Sequence, residues 1–160
     1  MSVVRQIYTN IAASPVAFTT EAGDAVSVGA WDLHQIRPRV AQADLPARLL
    51  YPMGPYSAAS PSEYVATGIG STVKWRILDD MLWLPATSGN VIWDVMPDLV
   101  RYAGAYADMI ALMRQPVPGA VAGSRTTLEG WDIAPALIQW GETSYFGVRV
   151  SLTVQELKFA

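Results

Sequence analysis

Apolar residues recur along the chain at two spacings, and each spacing indicates a different element. Residues 2–13 and 94–114 carry apolar side chains three or four positions apart, which predicts two amphipathic helices. Ser2 and Asp94 are the expected N-caps, and the first helix should end before Pro15. One face of the longer helix is expected to lie on a sheet. Its apolar stripe consists of Leu99, Tyr102, Ala103, Tyr106, Ile110 and Met113.

Alternation of apolar and polar residues is the second spacing, and it predicts strands. It is clearest over residues 72–84, where it breaks at Leu78, Asp79 and Asp80, as at a β-bulge or a sheet edge. The other expected strands form a hairpin within residues 15–30 with a turn at Gly23 and Asp24, a short strand at 48–52, and a C-terminal hairpin of residues 127–140 and 145–159 around a turn at 141–144.

Segments rich in Gly, Pro, Ser and Ala separate these elements. Residues 31–47 are expected to be irregular, and residues 54–71 and 116–126 are expected to be long loops. Long loops in compact domains are usually functional or mobile. The chain is therefore predicted to be one α+β domain over residues 1–160. It should have a mostly antiparallel sheet with the long amphipathic helix packed on it, a short N-terminal helix and a C-terminal β-hairpin.

The composition is unusually apolar for a chain with no expected membrane span. Hydrophobic residues make up 51% and charged residues 16% of the 160 residues, and the mean hydropathy is +0.22. No apolar run approaches the length needed to cross a bilayer, and the N-terminus does not resemble a secretory signal. The apolar side chains must then be covered either by a large aromatic-rich core or by partner subunits.

The residues that usually carry chemistry are few and scattered. A net charge of -3 argues against nucleic-acid binding, and the absence of cysteine excludes thiolate sites. His34, the single histidine, has no second ligand or nucleophile at a suitable spacing, so a structural or surface role is favoured. Asp79 and Asp80 are adjacent on a strand and should point to opposite faces, which favours a strand-end turn or a helix cap over a shared acid–base site.

A phosphate loop and a metal site find no better support. The segment 68–72 is a weak match to a phosphate loop because it leads into a strand rather than a helix. No acidic residues stand at the spacing of a calcium loop. We therefore expect no catalytic, metal or cofactor site.

The six tryptophans could fill a core, stack on a sugar or form a protein interface. Trp75 is in phase with the apolar side of its strand and is expected in the core. Three others flank a loop or a turn, where an interface role and core filling are equally favoured. The candidate contact residues are Trp83, Trp93 and Trp140, together with Tyr56 and Tyr64 of the first long loop.

Three segments resemble the tail terminator or tail-completion proteins of long-tailed bacteriophages. They are DLPARLLYP at 44–52, VKWRILDDMLW at 73–83 with its following helix, and FGVRVSLTVQEL at 146–157. The similarity in element order extends from about Ile7 to Leu157. It implies a virion protein, assembled in the host cytoplasm, that forms a ring, commonly a hexamer, on the end of the tail tube. Its partners would be copies of itself, the tail tube protein and a head-tail connector or neck protein, with no enzymatic activity, cofactor or membrane.

Other functions remain open from the residues alone. The chain could be another neck, connector or decoration protein of the virion. It could instead be a ligand-binding or carbohydrate-binding domain that uses its tryptophans, or a hydrolase built on Asp79 or Asp80. A strict monomer with sugar-dependent fluorescence would favour the binding domain, and stabilisation by metal would favour the hydrolase.

Overall fold

The structure, a computed structural model, describes residues 3–32, 39–52, 63–67, 70–86, 89, 91–112, 117–118 and 124–159. In these ranges the chain forms, in order, α1 (Val3–Ala12), β1 (Val16–Thr19), β2 (Ala25–Val28), a 3-10 turn (Gln42–Asp44), β3 (Ala47–Pro52), β4 (Glu63–Thr67), β5 (Gly70–Pro85), α2 (Ile92–Leu112), β6 (Val117–Pro118), β7 (Ser124–Trp140) and β8 (Thr143–Phe159). The predicted α+β architecture is confirmed.

The main sheet is antiparallel throughout, and β5 lies inside it. Strands β3 and β4 pair with successive parts of one edge of β5, and β8 pairs along its other edge. Strand β8 then pairs with β7, and β7 pairs at one end with β6. The predicted C-terminal hairpin is therefore formed by β7 and β8, and their connection is the two-residue turn at Gly141 and Glu142. Gly141 has a φ of 63°, which suits glycine in such a turn.

The predicted N-terminal hairpin is a separate two-stranded sheet. Strands β1 and β2 pair from Val16 opposite Val28 to Thr19 opposite Ala25. Gly23, with a φ of 93°, stands in the turn between them. This hairpin contacts α2 through β1.

Both faces of the main sheet carry buried side chains. The helix face, which we define as the side packed against α1, α2 and the β1–β2 hairpin, includes Ile77, Met81, Val148 and Val150. The back face is the opposite side, where Leu49, Leu82, Ile138 and Trp140 pack with Val40 and the neighbouring Leu45. From Leu78 to Leu82 β5 is covered on both faces, so successive side chains there alternate between two packed environments, whereas Arg76 nearer the start of the strand is exposed.

Two of the predicted loops contain strands. Strand β4 lies within the predicted loop 54–71 and pairs with β5, while β6 and the start of β7 lie within the predicted loop 116–126. Both short strands join the edge of a long strand that supplies backbone hydrogen-bond partners. That contribution from the neighbour is not visible in a local pattern of Gly, Pro and Ser.

Two details of the central elements also differ from expectation. Strand β5 does not bulge at residues 78–80. It stays paired on both sides there, and the register shift falls at Trp83, between Leu82 and Leu84. Helix α2 begins at Ile92, so Asp94 lies in its first turn rather than at the N-cap. An acidic side chain is favourable at either position because both lie at the positive end of the helix dipole.

The outer ends of the predicted helices fall outside the described residues, since both Ser2 and Met113 lie there. Neither described helix is long and apolar enough to cross a membrane.

Candidate functional site

Asp79 is the centre of a polar cluster buried under the helix face. Arg48, which lies on β3 beside β5, donates from Nε to both carboxylate oxygens at 3.0 Å and from Nη2 to Oδ2 at 2.7 Å. The hydroxyl of Tyr106 on α2 donates to the same Oδ2 at 2.6 Å. Both charged side chains of the pair are 0% exposed. Asp79 therefore joins β3, β5 and α2.

Arg48 also holds the end of α1. Its Nη1 donates to the carbonyl of Ser14 at 2.6 Å, and its Nη2 donates to the carbonyl of Ile11 at 3.2 Å. Carbonyls at a helix C-terminus lack partners within the helix, and a cation there also suits the helix dipole. The guanidinium carbon lies 5.5 Å from the centre of the Tyr106 ring. One arginine thus satisfies a carboxylate, two helix-end carbonyls and an aromatic face.

The protonation states in this cluster follow from its burial and charges. Burial alone would lower the pKa of Arg48, but the charge of Asp79 and the hydrogen bonds to it outweigh this effect and raise the pKa. Burial, followed by the charge of Asp79, raises the pKa of Tyr106 well above its ordinary value. Arg48 is therefore a permanent cation and Tyr106 a neutral donor at physiological pH.

Asp80 makes a second ion pair on the back face. Arg149, its direct neighbour on β8, donates from Nε to Oδ1 at 2.9 Å and from Nη2 to Oδ2 at 2.8 Å. The hydroxyl of Tyr51 donates to Oδ2 at 2.6 Å. Asp80 is 0% exposed, whereas the side chain of Arg149 is 47% exposed. The hydrogen bonds to Asp80 raise the pKa of Arg149 despite its partial burial.

The two aspartates therefore serve two separate ion pairs on opposite faces of β5. The prediction that they cannot share one site is confirmed, but the prediction of a strand-end turn or helix cap is wrong. Both carboxylates sit in the middle of a paired strand because each has an arginine on a neighbouring strand. The signal available in the sequence was charge matching, with one arginine in the apolar run 47–52 and one in the alternating run 145–159.

Two buried polar atoms lie near the helix face with no hydrogen-bond partner among the described residues. They are the hydroxyl of Tyr102 and Nε1 of Trp75. The Tyr102 ring meets Phe18 edge to face, with the ring centres 5.7 Å apart. Trp75 packs partly buried against the same core, as predicted. Neither group adds a titratable or nucleophilic side chain to the Asp79 cluster at neutral pH.

The candidate contact tryptophans occupy different environments. Trp140 is only 8% exposed and packs on Tyr51 in the back-face core, with ring centres 5.6 Å apart. Trp83, at the bulge, packs partly buried against Phe18 at 5.7 Å. These placements favour core filling for both. Trp93 is 76% exposed on α2, so its interface role stays a prediction.

The other candidate residues are only partly described. Tyr56 and His34 lie outside the described residues, and of Tyr64 only the backbone position in β4 is described. Of the segment 68–72, the described part, residues 70–72, belongs to β5. Among the residues that the structure describes, no three His, Asp or Glu side chains are grouped to hold a metal ion.

Two surfaces remain without a partner within the described part of the chain. The first is the outer edge of β7 around Pro135 and Leu137, beyond the short pairing with β6 at Arg125 and Thr126. The second is the outward side of α2. Here Trp93 is 76% and Val100 54% exposed. Exposed apolar surface of this kind is typical of a protein interface.

The chain matches no protein-family profile and no curated protein sequence.

Proposed function

We propose that the protein is a structural subunit that assembles with copies of itself into a closed ring. In the narrower form of this proposal, the ring is the terminator of a bacteriophage tail. The observation that carries it is the pair of unlike edges of the main sheet. The β7 edge lies on one side of the sheet, and the short strands β3 and β4 lie on the other.

Unlike edges on opposite sides suit head-to-tail association. When the β7 edge of one subunit meets the β3 and β4 side of the next, each subunit uses each side of its sheet once. Ala30 and Trp31 already pair with Arg48 of β3, so the contact would use the remainder of that side. Repeating that contact closes a ring if the rotation that relates neighbouring subunits is a whole fraction of a full turn. Backbone groups on an open strand edge provide the hydrogen bonds for such a contact.

Pro135 limits how the β7 edge can pair. Proline has no N–H and is tolerated in sheets where that position faces away from the neighbouring strand. Pro135 stands opposite Val148 of β8, so its missing donor belongs on the outer edge. One proline on an edge also protects against indiscriminate pairing. The edge is thus suited to a specific neighbour rather than to open-ended aggregation.

The narrower assignment to a tail terminator rests on the resemblance in sequence. The segments at 44–52, 73–83 and 146–157 that carry it form β3, the central part of β5 and most of β8. These are adjacent strands in the sheet. The proposed partners are therefore copies of the chain, the tail tube protein and a connector or neck protein, and the proposed location is the virion.

A substitution at Leu137 tests the ring contact without disturbing the hairpin. Leu137 is two residues from Pro135 in unbroken register with β8, and its side chain is 63% exposed. Its N–H therefore points to the outer edge, as the proline position does. Leu137→Pro removes that donor, and Leu137→Ala removes the same side chain but keeps the donor.

The measurement is the mass of the full chain by light scattering after size exclusion, together with electron microscopy of negatively stained particles. We expect wild type and Leu137→Ala to form rings whose mass is a fixed multiple of the 17.3 kDa chain, six for a hexamer. Leu137→Pro should be folded and fail to form rings. Rings that persist in Leu137→Pro would refute the edge contact, and a wild type that is monomeric at all concentrations and also fails to bind purified tail tubes would refute the proposed function.

A further inference from the structure

The outward side of α2 is apolar along most of the helix. A solvent-facing helix side is ordinarily polar. Here the apolar residues recur at alternating steps of four and three, which average the 3.5-residue spacing of a helix packed lengthwise against another helix. Trp93 is 76% and Val100 54% exposed. Six residues form this side of the helix, which we call the outer seam. They are Trp93, Pro97, Val100, Gly104, Ala107 and Ala111.

Gly104 is a second and independent feature of this side. Glycine in the interior of a helix is less stable than alanine. A Cβ placed on Gly104 would meet no atom within 4 Å, so packing within the described chain does not require a glycine. Glycine is used where another group must approach the backbone closely. Gly104 would therefore allow a large group from another molecule to approach the middle of α2 closely.

The charges beside the outer seam indicate what that molecule is. Asp94, Arg101 and Asp108 are exposed and stand seven residues apart along one margin of the seam. If two α2 helices pack antiparallel with Trp93 of each over Gly104 of the other, Asp94 of each copy lies beside Arg101 of the other. A two-fold axis makes this contact twice. Parallel packing in register would instead place the charged margins of the two copies on opposite sides of the helix pair, so these charges would not meet.

We infer that two copies of this chain dimerise through the outer seam of α2 in this antiparallel arrangement. The large indole of Trp93 fills the space left by Gly104, Pro97 packs against Val100, and the Asp94–Arg101 contacts fix the register. A single helix pair buries less than the roughly 800 Å² per partner of a standard interface. The dimer should therefore be weak, form only at high protein concentration and weaken with salt. The contact is isologous and uses a different surface from the β7 edge.

Sedimentation velocity of the full chain over a range of concentrations tests this inference. The measurements use the Leu137→Pro background, so that ring assembly does not contribute to the observed mass. We expect a monomer–dimer equilibrium in which Trp93→Ala raises the dissociation constant on the order of 30-fold. Gly104→Ala should raise it about tenfold while moving unfolding to higher urea concentration. If Gly104 had only a role within the folded chain, Gly104→Ala would not raise stability and weaken association at the same time.

Charge exchange tests the register. Arg101→Asp should weaken the dimer, and the double variant Asp94→Arg with Arg101→Asp should restore its affinity to within about threefold. Leu112→Ala is the matched control, since Leu112 is 84% exposed on α2 but lies off the seam, and it should leave the dissociation constant unchanged.

A strict monomer in the Leu137→Pro background would overturn the inference, as would a dimer that Gly104→Ala leaves unaffected. A dimer that responds to the seam variants while wild type forms no rings would support the seam and count against the ring. The two proposals therefore fail separately.

Discussion

Removing the charge of Asp79 should be among the most damaging conservative substitutions in the described part of the chain. Asp79→Asn keeps the size of the side chain but leaves the guanidinium of Arg48, which is 0% exposed, without its counter-charge. Breaking a buried ion pair by removing one partner typically destabilises a protein by about 3–5 kcal/mol. For a chain of this length, that corresponds to a fall in melting temperature of roughly 6–20 °C.

Asp80→Asn is the matched control on the neighbouring residue. Asp80 is as buried as Asp79, but its partner Arg149 is 47% exposed. A released Arg149 can turn into water, so the expected loss is smaller, about 1–3 kcal/mol. Urea unfolding at neutral pH, followed by tryptophan fluorescence and circular dichroism, gives both free energies of unfolding. Equal losses for the two variants, or a loss below about 1 kcal/mol for Asp79→Asn, would refute the reasoning.

An apolar replacement of the pair separates its two roles. Arg48→Met combined with Asp79→Leu removes both charges and with them the cost of an unpaired buried ion. The free energy of unfolding of this double variant should be higher than that of Asp79→Asn but lower than that of wild type. The carbonyls of Ile11 and Ser14 would still lose the donors that Arg48 provides. If the double variant regained the wild-type free energy of unfolding in the same urea assay, the hydrogen bonds from Arg48 to the end of α1 would contribute nothing to stability.

Three further predictions concern other parts of the fold. Burial, with the nearby carboxylates, raises the pKa of Tyr8 from 10.0 to about 12, so the folded state keeps a proton that the unfolded chain releases. The free energy of unfolding should thus fall as pH rises from about 10 to about 12. In Tyr8→Phe this fall should be less steep by about 1.4 kcal/mol per pH unit. Urea unfolding at a series of pH values measures the slope. A Cβ at Gly147 would overlap the carbonyl oxygen of Met81, so Gly147→Ala should cost about 1–3 kcal/mol. Gly130→Ala, where a Cβ meets no atom within 4 Å, should retain more stability in the same unfolding assay. Trp140→Ala should lower the free energy of unfolding by about 3–5 kcal/mol without changing the mass of the folded species by light scattering, and a changed mass with unchanged stability would contradict its core placement.

Local periodicity was sufficient to predict much of the architecture. The stripe from Leu99 to Ile110 is the buried side of α2, and the alternation from Phe146 to Val154 places those side chains on the helix face of β8. Both elements have one well-defined apolar side, so the pattern of the chain itself carries the information. The α+β architecture and the C-terminal hairpin follow from these two elements and their order.

The polar cluster could not be predicted in the same way. Taken by itself, the sequence shows Asp79 and Asp80 only as a break in the alternation of β5. Their partners, Arg48 and Arg149, lie 31 and 69 residues away in sequence, so no local pattern connects them. Pairing at such separations is set by the strand order of the sheet. Local sequence can show that the charges of neighbouring strands balance, but it does not give the register that brings them together.

The apolar composition left two explanations open, a large core or a surface covered by partners, and the structure contains features of both. Strands β5 and β8 are buried on two faces for part of their length, which uses apolar residues that a one-sided sheet would not need. Trp93, Val100 and Leu137 nevertheless remain more than half exposed. Trp93 and Val100 lie on the outward side of α2, and Leu137 lies on the outer strand β7, so three of the exposed large apolar residues lie on the two unpartnered surfaces, while Leu112 and Val91 are exposed elsewhere. A large core alone leaves Trp93, Val100 and Leu137 uncovered, and the proposed assembly would cover them.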